Sequence, residues 1–393
     1  MLVKRNAEIL SVPLKVISKK TRIMHIVQCP GGVENYISML LKYMDHDSYE
    51  QILICSQDYK KENFTDLVDV FETVEMGREI SFQKDIVAIY KIRKLIKKYH
   101  PQIVYMHSSK AGGVGRIANL FIKNKVIYNP HGWAFNIIGS QIKKFIYINI
   151  EKGLSAVTDS IVTVSKFEKE IAVHNSICAA SKLKVIYNGI DIQSFKNTKG
   201  SFTINRMDLK IPKDAYVIGI VGRISRGKSV DTFIESAKLI KQQIPSAFFI
   251  IVGDGEDRDE IESLIIKDEL SRSVFITGWV KNPLEYIRLF DQAMLLSKWE
   301  AFGLVLAEYM ISSKPIIATN VGGIPELITN EENGILVSVD NVKKIVEASV
   351  KIYKNTAFKE MIVEKSLLKV KMKFDAKRVA EENSELICRL LAM

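Results

Sequence analysis

The chain has 393 residues, 47% hydrophobic and 26% charged, with a formal net charge of +11. This length supplies two domains of ordinary size, and no unbroken apolar stretch of about 18 residues is present to cross a bilayer. The four cysteines, Cys29, Cys55, Cys178 and Cys388, lack the paired spacing of a metal site or disulfide framework, which fits a reduced, cytosolic setting.

The charge is lopsided. Residues 1–200 hold 29 Lys and Arg against 18 Asp and Glu, whereas residues 201–393 hold 27 against 27. Residues 101–150 carry six basic side chains and no acidic one. No zinc-finger or aromatic RNA-binding motif accompanies them, so a nucleic-acid partner is not expected. An anionic membrane surface or a lipid-diphosphate substrate explains the excess better; the bland alternative is a Lys-rich, soluble surface.

In chain order, the apolar patch from Ile9 to Ile17 is broken by Lys15 and lacks a small-residue cleavage site, so it does not read as a signal peptide. Strands are then predicted over 23–28, 51–56, 103–107, 126–129, 161–165 and 184–187, with helices over 34–44, 84–99, 112–122, 143–155 and 166–175. Residues 194–212 lose this periodicity and read as a linker. The alternation restarts with strands over 216–221, 247–252, 274–277, 292–296, 315–318 and 334–337. The helices among them include 230–243, 257–268 and 303–311, and a last helical pattern runs over 375–391. Such alternation implies an α/β chain with two doubly wound parallel sheets.

Ligands of such sheets gather where strand C-termini meet helix N-termini. Glu300 and Glu308 lie eight positions apart around such a junction, with the N–H groups of Phe302, Gly303 and Leu304 between them. One carboxylate for sugar hydroxyls, one for ribose hydroxyls and amides between them suit a nucleotide-sugar; two solvated glutamates are the plain alternative. Gly31-Gly32 closes the first strand, where glycines let a ligand approach the backbone. His131 follows the 126–129 strand, well placed to contact a ligand. His107, Ser108 and Lys110 end the preceding strand and either line an acceptor side or start an ordinary capped helix. Residues 84–99 and 133–150 combine lysines with apolar or aromatic residues, as a membrane-surface helix does; a crossover helix with a solvated basic face is the plain alternative for each.

Other strings compete for attention. Gly222 to Ser229 is a literal Walker A sequence, so a P-loop NTPase is a rival reading, but no partner strand ends in an Asp suited to Mg²⁺. Gly253-Asp254-Gly255 hints at a dinucleotide fingerprint whose third glycine is replaced by Arg258. Asp257-Arg258-Asp259 imitates a metal-binding carboxylate pair but sits at a helix start, where acids favour the dipole.

Taken together, the Glu300 to Glu308 segment resembles the Glu, seven residues, Glu signature of retaining glycosyltransferases of family 4, with Ala301 in place of the usual glycine. Gly222-Arg223-Ile224 with Lys228, Gly322 to Glu326, Asn333 to Val337, Gly31 to Glu34, His131-Gly132 and Asn188 to Asp191 are similar to further strings of that family, in its order, over roughly residues 21 to 390. The resemblance implies the GT-B fold. Its expected parts are an N-terminal acceptor-binding Rossmann-like domain (1–195), a nucleotide-sugar-binding one (196–375) and a C-terminal helix (376–393) packing back on the first. It implies same-face transfer without a metal or other cofactor, from a nucleotide-sugar that is expected to be UDP-linked.

In that reading Glu308 holds the ribose and Glu300 the donor sugar. Arg223 and Lys228, as fixed cations, hold the diphosphate, with Gly31 and Gly32 nearby, and His131 faces the reacting sugar. The strings around His107 and His131 look like transferases of bacterial capsule or exopolysaccharide synthesis. Their acceptors ride on undecaprenyl diphosphate, which implies a cytoplasmic enzyme held peripherally at the inner face of the membrane. A non-hydrolysing sugar-nucleotide epimerase, sharing the fold, is the second rival.

Overall fold

The computed structural model describes residues 20–28, 31–77, 81–136, 139–198 and 203–393. The 9–17 patch, part of the 133–150 segment and part of the 194–212 linker lie outside the described residues.

The first half runs β1 (Thr21–Val27), α1 (Gly32–Tyr43), β2 (Tyr49–Cys55), β3 (Val70–Thr73), α2 (Phe82–Tyr99), β4 (Ile103–His107), α3 (Ser109–Ala118), β5 (Lys125–Asn129), α4 (Gln141–Ser155), β6 (Ser160–Thr163), α5 (Lys166–His174), β7 (Leu183–Val185) and α6 (Ile192–Thr198). Its seven strands are parallel, in the order β3-β2-β1-β4-β5-β6-β7. The strands are Val/Ile/Leu-rich because both faces are covered. One face packs on α2, α3, α4 and α5 through Ile92, Val114, Ile148 and Ala172. The other packs on α1 through Ile37 and Leu40.

The second half runs β8 (Tyr216–Val221), α7 (Val230–Gln243), β9 (Ala247–Val252), α8 (Arg258–Lys267), β10 (Val274–Ile276), α9 (Leu284–Ile287), β11 (Gln292–Leu295), α10 (Leu304–Ile311), β12 (Ile316–Thr319), α11 (Ile324–Leu327), β13 (Ile335–Val337), α12 (Val342–Lys354), α13 (Thr356–Lys373) and α14 (Ala376–Leu391). Its six strands are also parallel, ordered β10-β9-β8-β11-β12-β13. α14 returns to the first sheet, burying Leu386, Ile387 and Leu390 against the α1 side of its core.

The chain therefore crosses between the halves twice, and the two crossings run side by side. Ile190 N–H donates to Phe374 O at 2.9 Å, and Ala376 N–H donates to Ile190 O at 3.0 Å. Gly189 is needed there, since a Cβ would stand 3.0 Å from the Asp375 backbone and 2.9 Å from Val379.

Several departures from the sequence reading are local. β3 is a short strand at the sheet edge that periodicity does not mark. The helix expected over 112–122 forms over Ser109–Ala118, because Ser108 caps it, its Oγ accepting from Ala111 N at 3.4 Å. α6 overlaps the start of the expected linker, and α12 and α13 fill the stretch between the last predicted strand and the last helical pattern.

Candidate functional site

The two sheets point their strand C-termini at a shared cleft. Its central cavity, about 470 Å³, is lined from the first half by Tyr36, Lys42 and Asp191, and from the second by Asn282, Leu304 and Glu308. A larger cavity of about 740 Å³ lies at the opposite end of the first sheet, beside Lys125, Ser160 and Lys184. Parallel sheets bind ligands at the other edge.

On the second half, Glu300 sits in the β11–α10 loop. Its Oε1 accepts from Ser297 Oγ at 2.7 Å and is ion-paired with the ammonium of Lys228. Two glycines hold this loop: a Cβ on Gly322 would stand 1.9 Å from Glu300 O, and one on Gly323 would stand 2.3 Å from Ala301 O. Gly323 N–H donates to Glu300 O at 3.0 Å. The Phe302 ring is core, tilted 75° to Phe374 at 5.5 Å. Its backbone and that of Gly303, which caps α10 at φ +84°, turn their N–H groups to no partner among the described residues. Glu308 is half-buried on α10, its carboxylate without a hydrogen bond among the described residues, and desolvation pushes its pKa up to about 7.

Lys228 ends a 3₁₀ turn over Arg226–Lys228, and Gly227 O accepts from Lys298 N at 2.9 Å. Ser229 is fully buried, its hydroxyl closed off from a bound Mg²⁺ and without a partner among the described residues, so the string does not form a phosphate-wrapping P-loop. Gly253 and Gly255 pack against this same loop, where a Cβ would stand 1.9 Å from Gly222 O and 2.1 Å from Ile224 O. Close packing, not dinucleotide binding, accounts for those glycines. Arg223 is held in an exposed ion pair with Glu256 at 2.7 Å, while still lining one small pocket with Lys228.

From the first half, His131 approaches in the loop after β5. Its φ of +54° is unusual for a side-chain-bearing residue, and the turn is braced by its N–H donating to Asn129 Oδ1 at 2.9 Å. A Cβ on the next residue, Gly132, would stand 2.9 Å from the Trp299 ring and 3.2 Å from the Ala301 Cβ. The His131 loop and the Glu300 loop therefore meet across the cleft. Buried Glu168 holds the other end of the His131 loop, accepting from Trp133 N at 3.0 Å, and burial pushes its pKa up to about 7. Gly31 (φ +122°) and Gly32 open α1 with free space around both.

Two expected acceptor-side residues need correction. His107 is fully buried, not surface-lining: its Nε2 meets His25 Nδ1 at 3.2 Å and its Nδ1 meets His131 Nε2 at 3.1 Å. Lys110 is nearly buried and ion-paired with Asp85 of α2, which ties α3 to α2. Ser108 caps α3. The plain alternative, a capped helix start, describes Ser108 and Lys110. His25 completes the imidazole row, its Nε2 meeting Gln51 Oε1 at 3.0 Å. Burial keeps the row neutral, lowering His25 to about 4, His131 to about 3 and His107 well below its usual value.

Other cleft residues are not singled out as site residues by the sequence. Asp191, within the quoted Asn188 to Asp191 string, accepts from Lys42 Nζ at 2.6 Å, Tyr43 Oη at 2.6 Å and Ser194 N at 2.7 Å. Tyr36 sets its ring edge-on to His131 at 4.6 Å. The Trp299 indole N–H is buried without a partner among the described residues. Glu326 bridges the halves, its two carboxylate oxygens accepting from Lys166 N and Phe167 N, each at 3.0 Å. Among the described residues there is no cluster of three or more His, Cys, Asp or Glu able to hold a metal, and no helix is long and apolar enough to cross a membrane.

Comparison with known proteins adds an independent line. Residues 30–194 match the model of Glycosyltransferase Family 4, and residues 201–367 match that of Glycosyl transferases group 1. The chain is 28% identical over 346 residues to the UDP-Gal:alpha-D-GlcNAc-diphosphoundecaprenol alpha-1,3-galactosyltransferase of Escherichia coli, covering 86% of this chain and 89% of that protein. It is 30% identical to an uncharacterized 41.2 kDa protein of the cps region of Klebsiella pneumoniae, covering 83% and 88% respectively. Among solved structures, Anabaena Alr3699/HepE in complex with UDP and glucose superposes with a TM-score of 0.81 at 20% identity, over 94% of this chain and 100% of that one.

Proposed function

The chain belongs to the glycosyltransferases of family 4 and has the GT-B fold, and we propose that it is a retaining, metal-independent member moving a sugar from a UDP-linked donor to a lipid-diphosphate-linked saccharide. One observation carries this reading: Gly132, next to His131, meets Trp299 and Ala301 across the cleft, beside the Lys228–Glu300 ion pair, while Glu308 lines the central cavity. Lys228 and the free N–H groups of Phe302 and Gly303 take the diphosphate, with Leu304 beside them and Gly31-Gly32 opposite. Glu300 and His131 take the sugar, and Glu308 takes the ribose. Arg223 joins only by leaving Glu256.

In same-face transfer the acceptor oxygen bonds to the anomeric carbon as the sugar–phosphate bond breaks. The departing phosphate oxygen receives the acceptor's proton. Negative charge grows on the diphosphate, where fixed cations and amides stabilise it. Matches to both family models leave the epimerase and NTPase readings without support.

The acceptor class follows from the surface and from the relatives. α2 exposes Phe82, Ile86, Val87 and Tyr90 beside Lys91 and Lys94, and α4 exposes Ile142, Phe145 and Ile146 beside Lys143 and Lys144. Apolar side chains rimmed by lysines suit an anionic leaflet. The named Escherichia coli relative acts on a sugar carried by diphosphoundecaprenol. This supports synthesis of a bacterial cell-surface polysaccharide at the inner face of the membrane.

The direct test is a thermal-shift series with UDP, GDP and ADP, followed by hydrolysis of UDP-sugars in EDTA. UDP alone should stabilise the protein, and one UDP-sugar should be turned over slowly without metal. Turnover abolished by EDTA and restored by Mn²⁺ refutes the metal-free mechanism, and conversion of the donor to an epimer without acceptor revives the epimerase. Full-length protein should also float with anionic vesicles. That binding should weaken as the Debye length falls from about 10 Å at 0.1 M salt to about 3 Å at 1 M, since each Lys near the surface contributes about 1 kcal/mol. No flotation at low salt points to a soluble acceptor.

Glu308→Ala should weaken UDP binding by about 1.5–3 kcal/mol, the worth of hydrogen bonds to a charged acceptor. Because burial raises its pKa to about 7, the free protein holds a proton there below neutrality that charged-state binding must expel. UDP affinity should therefore rise from pH 6 to pH 8 more steeply in the wild type than in Glu308→Gln, by calorimetry. Identical pH slopes remove Glu308 from the ribose site.

A further inference from the structure

The imidazole row is built by the register of the sheet. Gln51 on β2 pairs with Ile23, and His25 stands two residues further along β1. His25 pairs with Tyr105, and His107 stands two residues further along β4. His107 pairs with Asn129, and His131 stands two residues beyond that. Each step moves one strand across and two residues up, so strand periodicity keeps Gln51, His25 and His107 on one face of the sheet. The row begins at the buried Gln51 amide and ends at the cleft.

A neutral imidazole has one N–H and one lone pair, so a row of them must run in one direction. Gln51 sets that direction. Its Nε2 lies 3.6 Å from Met44 Sδ, which can only accept, while its Oε1 faces His25. His25 therefore carries its proton on Nε2 and accepts at Nδ1 from His107 Nε2. His107 in turn accepts at Nδ1 from His131 Nε2. The His131 Nδ1, which has no partner among the described residues, is left as a bare lone pair. Reversing the Gln51 amide would move every proton in the row to the other nitrogen.

We propose that Gln51, His25 and His107 are positioning residues that fix the His131 proton on Nε2, so that Nδ1 accepts a hydrogen bond from a hydroxyl of the donor sugar and rejects a carboxylate there. The proposal rests on the reading of His131 as a donor-sugar contact. A lone pair attracts a hydroxyl proton but repels a carboxylate oxygen, and burial keeps the ring from protonating to compensate. The site is thereby matched to neutral hexosyl donors over uronyl donors.

The test reads the tautomer itself. In ¹H–¹⁵N imidazole spectra of the full chain without ligand, with the His131 signals assigned by their loss in His131→Asn, Nε2 should be protonated and Nδ1 bare. Gln51→Leu, checked for folding by its melt, should give a mixed tautomer at His131. Its KM for UDP-glucose should rise by about three- to tenfold, the worth of one neutral hydrogen bond, with UDP affinity unchanged. A proton on Nδ1 in the wild type overturns the proposal, and so does a folded Gln51→Leu protein with an unchanged His131 tautomer. If Gln51→Leu does not fold, the wild-type spectrum decides alone. UDP-glucose should bind at least about tenfold tighter than UDP-glucuronate, a factor set by one disfavoured polar contact; equal or tighter binding of the glucuronate overturns the sugar preference. Binding of neither, with the spectrum as expected, overturns the donor-sugar contact and leaves the positioning role standing.

Discussion

Lys228→Ala should lower kcat by about 10²–10³-fold, the scale on which one preorganised partner of a developing oxyanion acts. Lys228 ends a short turn whose backbone is tied to Lys298, and its ammonium is held by Glu300. On the proposed reading the cation is in place before the sugar–phosphate bond breaks and costs little reorganisation when charge appears. Glu300 keeps its Ser297 hydrogen bond in the variant, so the loop should stay folded and the melting temperature should move little. Lys228→Arg should recover only part of the loss, because a planar fork does not replace a compact ammonium. Steady-state kinetics with the donor found by the nucleotide screen decides the matter; a loss under about threefold removes Lys228 from the diphosphate site, being less than one hydrogen bond is worth.

The largest effect on stability is expected at Glu151. It accepts from buried Arg116 at 2.8 Å and from the Tyr128 hydroxyl at 2.8 Å, joining α4, α3 and β5. Arg116 also donates to Gly112 O at 2.7 Å and lies 3.9 Å from the centre of the Tyr128 ring. Gly112 makes room for that ring, since a Cβ there would stand 2.3 Å from it. Glu151→Ala leaves a buried guanidinium unpaired and should cost about 3–5 kcal/mol in denaturant unfolding of the first half. The double replacement Arg116→Met with Glu151→Leu removes both charges and should restore most of that loss. A double variant no more stable than Glu151→Ala would show that packing around Tyr128, and not the lone charge, sets the cost.

The parts of the chain that were legible in sequence are those written in local pattern. The α7 stripe of Val230, Phe233, Ile234, Ala237 and Ile240 runs over the full helix, Val230–Gln243, as the periodicity predicts. The apolar runs of β8 and β9 mark those strands equally well. β3 was not legible because Val70–Thr73 is a four-residue edge strand, none of whose residues is buried. α13 was not legible because its apolar residues scatter around the helix without forming a stripe. At the site, the glutamate pair and His131 stand in recognisable strings. The pairing of Arg223 with Glu256 joins the loop after β8 to the loop after β9, a tertiary contact that no local pattern records. The burial of His107 and its link to His25 follow from strand register, a tertiary property. A histidine ending one strand carries no mark of the histidine two residues short of the next strand's end.

The paired crossings at Ile190 and Phe374–Ala376 also limit how the two halves can move. Bodies joined by one strand of chain are free to swivel about it. Here two strands are pinned to each other, with Arg378 adding a hydrogen bond to Tyr187 O at 2.7 Å beside them. Swivelling would have to break those bonds, whereas bending across the pair leaves them intact. The join behaves as an axle, not a ball joint, so opening and closing of the cleft is reduced to a single angle. Every closure then brings the His131-Gly132 loop back onto the Trp299–Ala301 loop along one path, so the aim of the first half is set by the join.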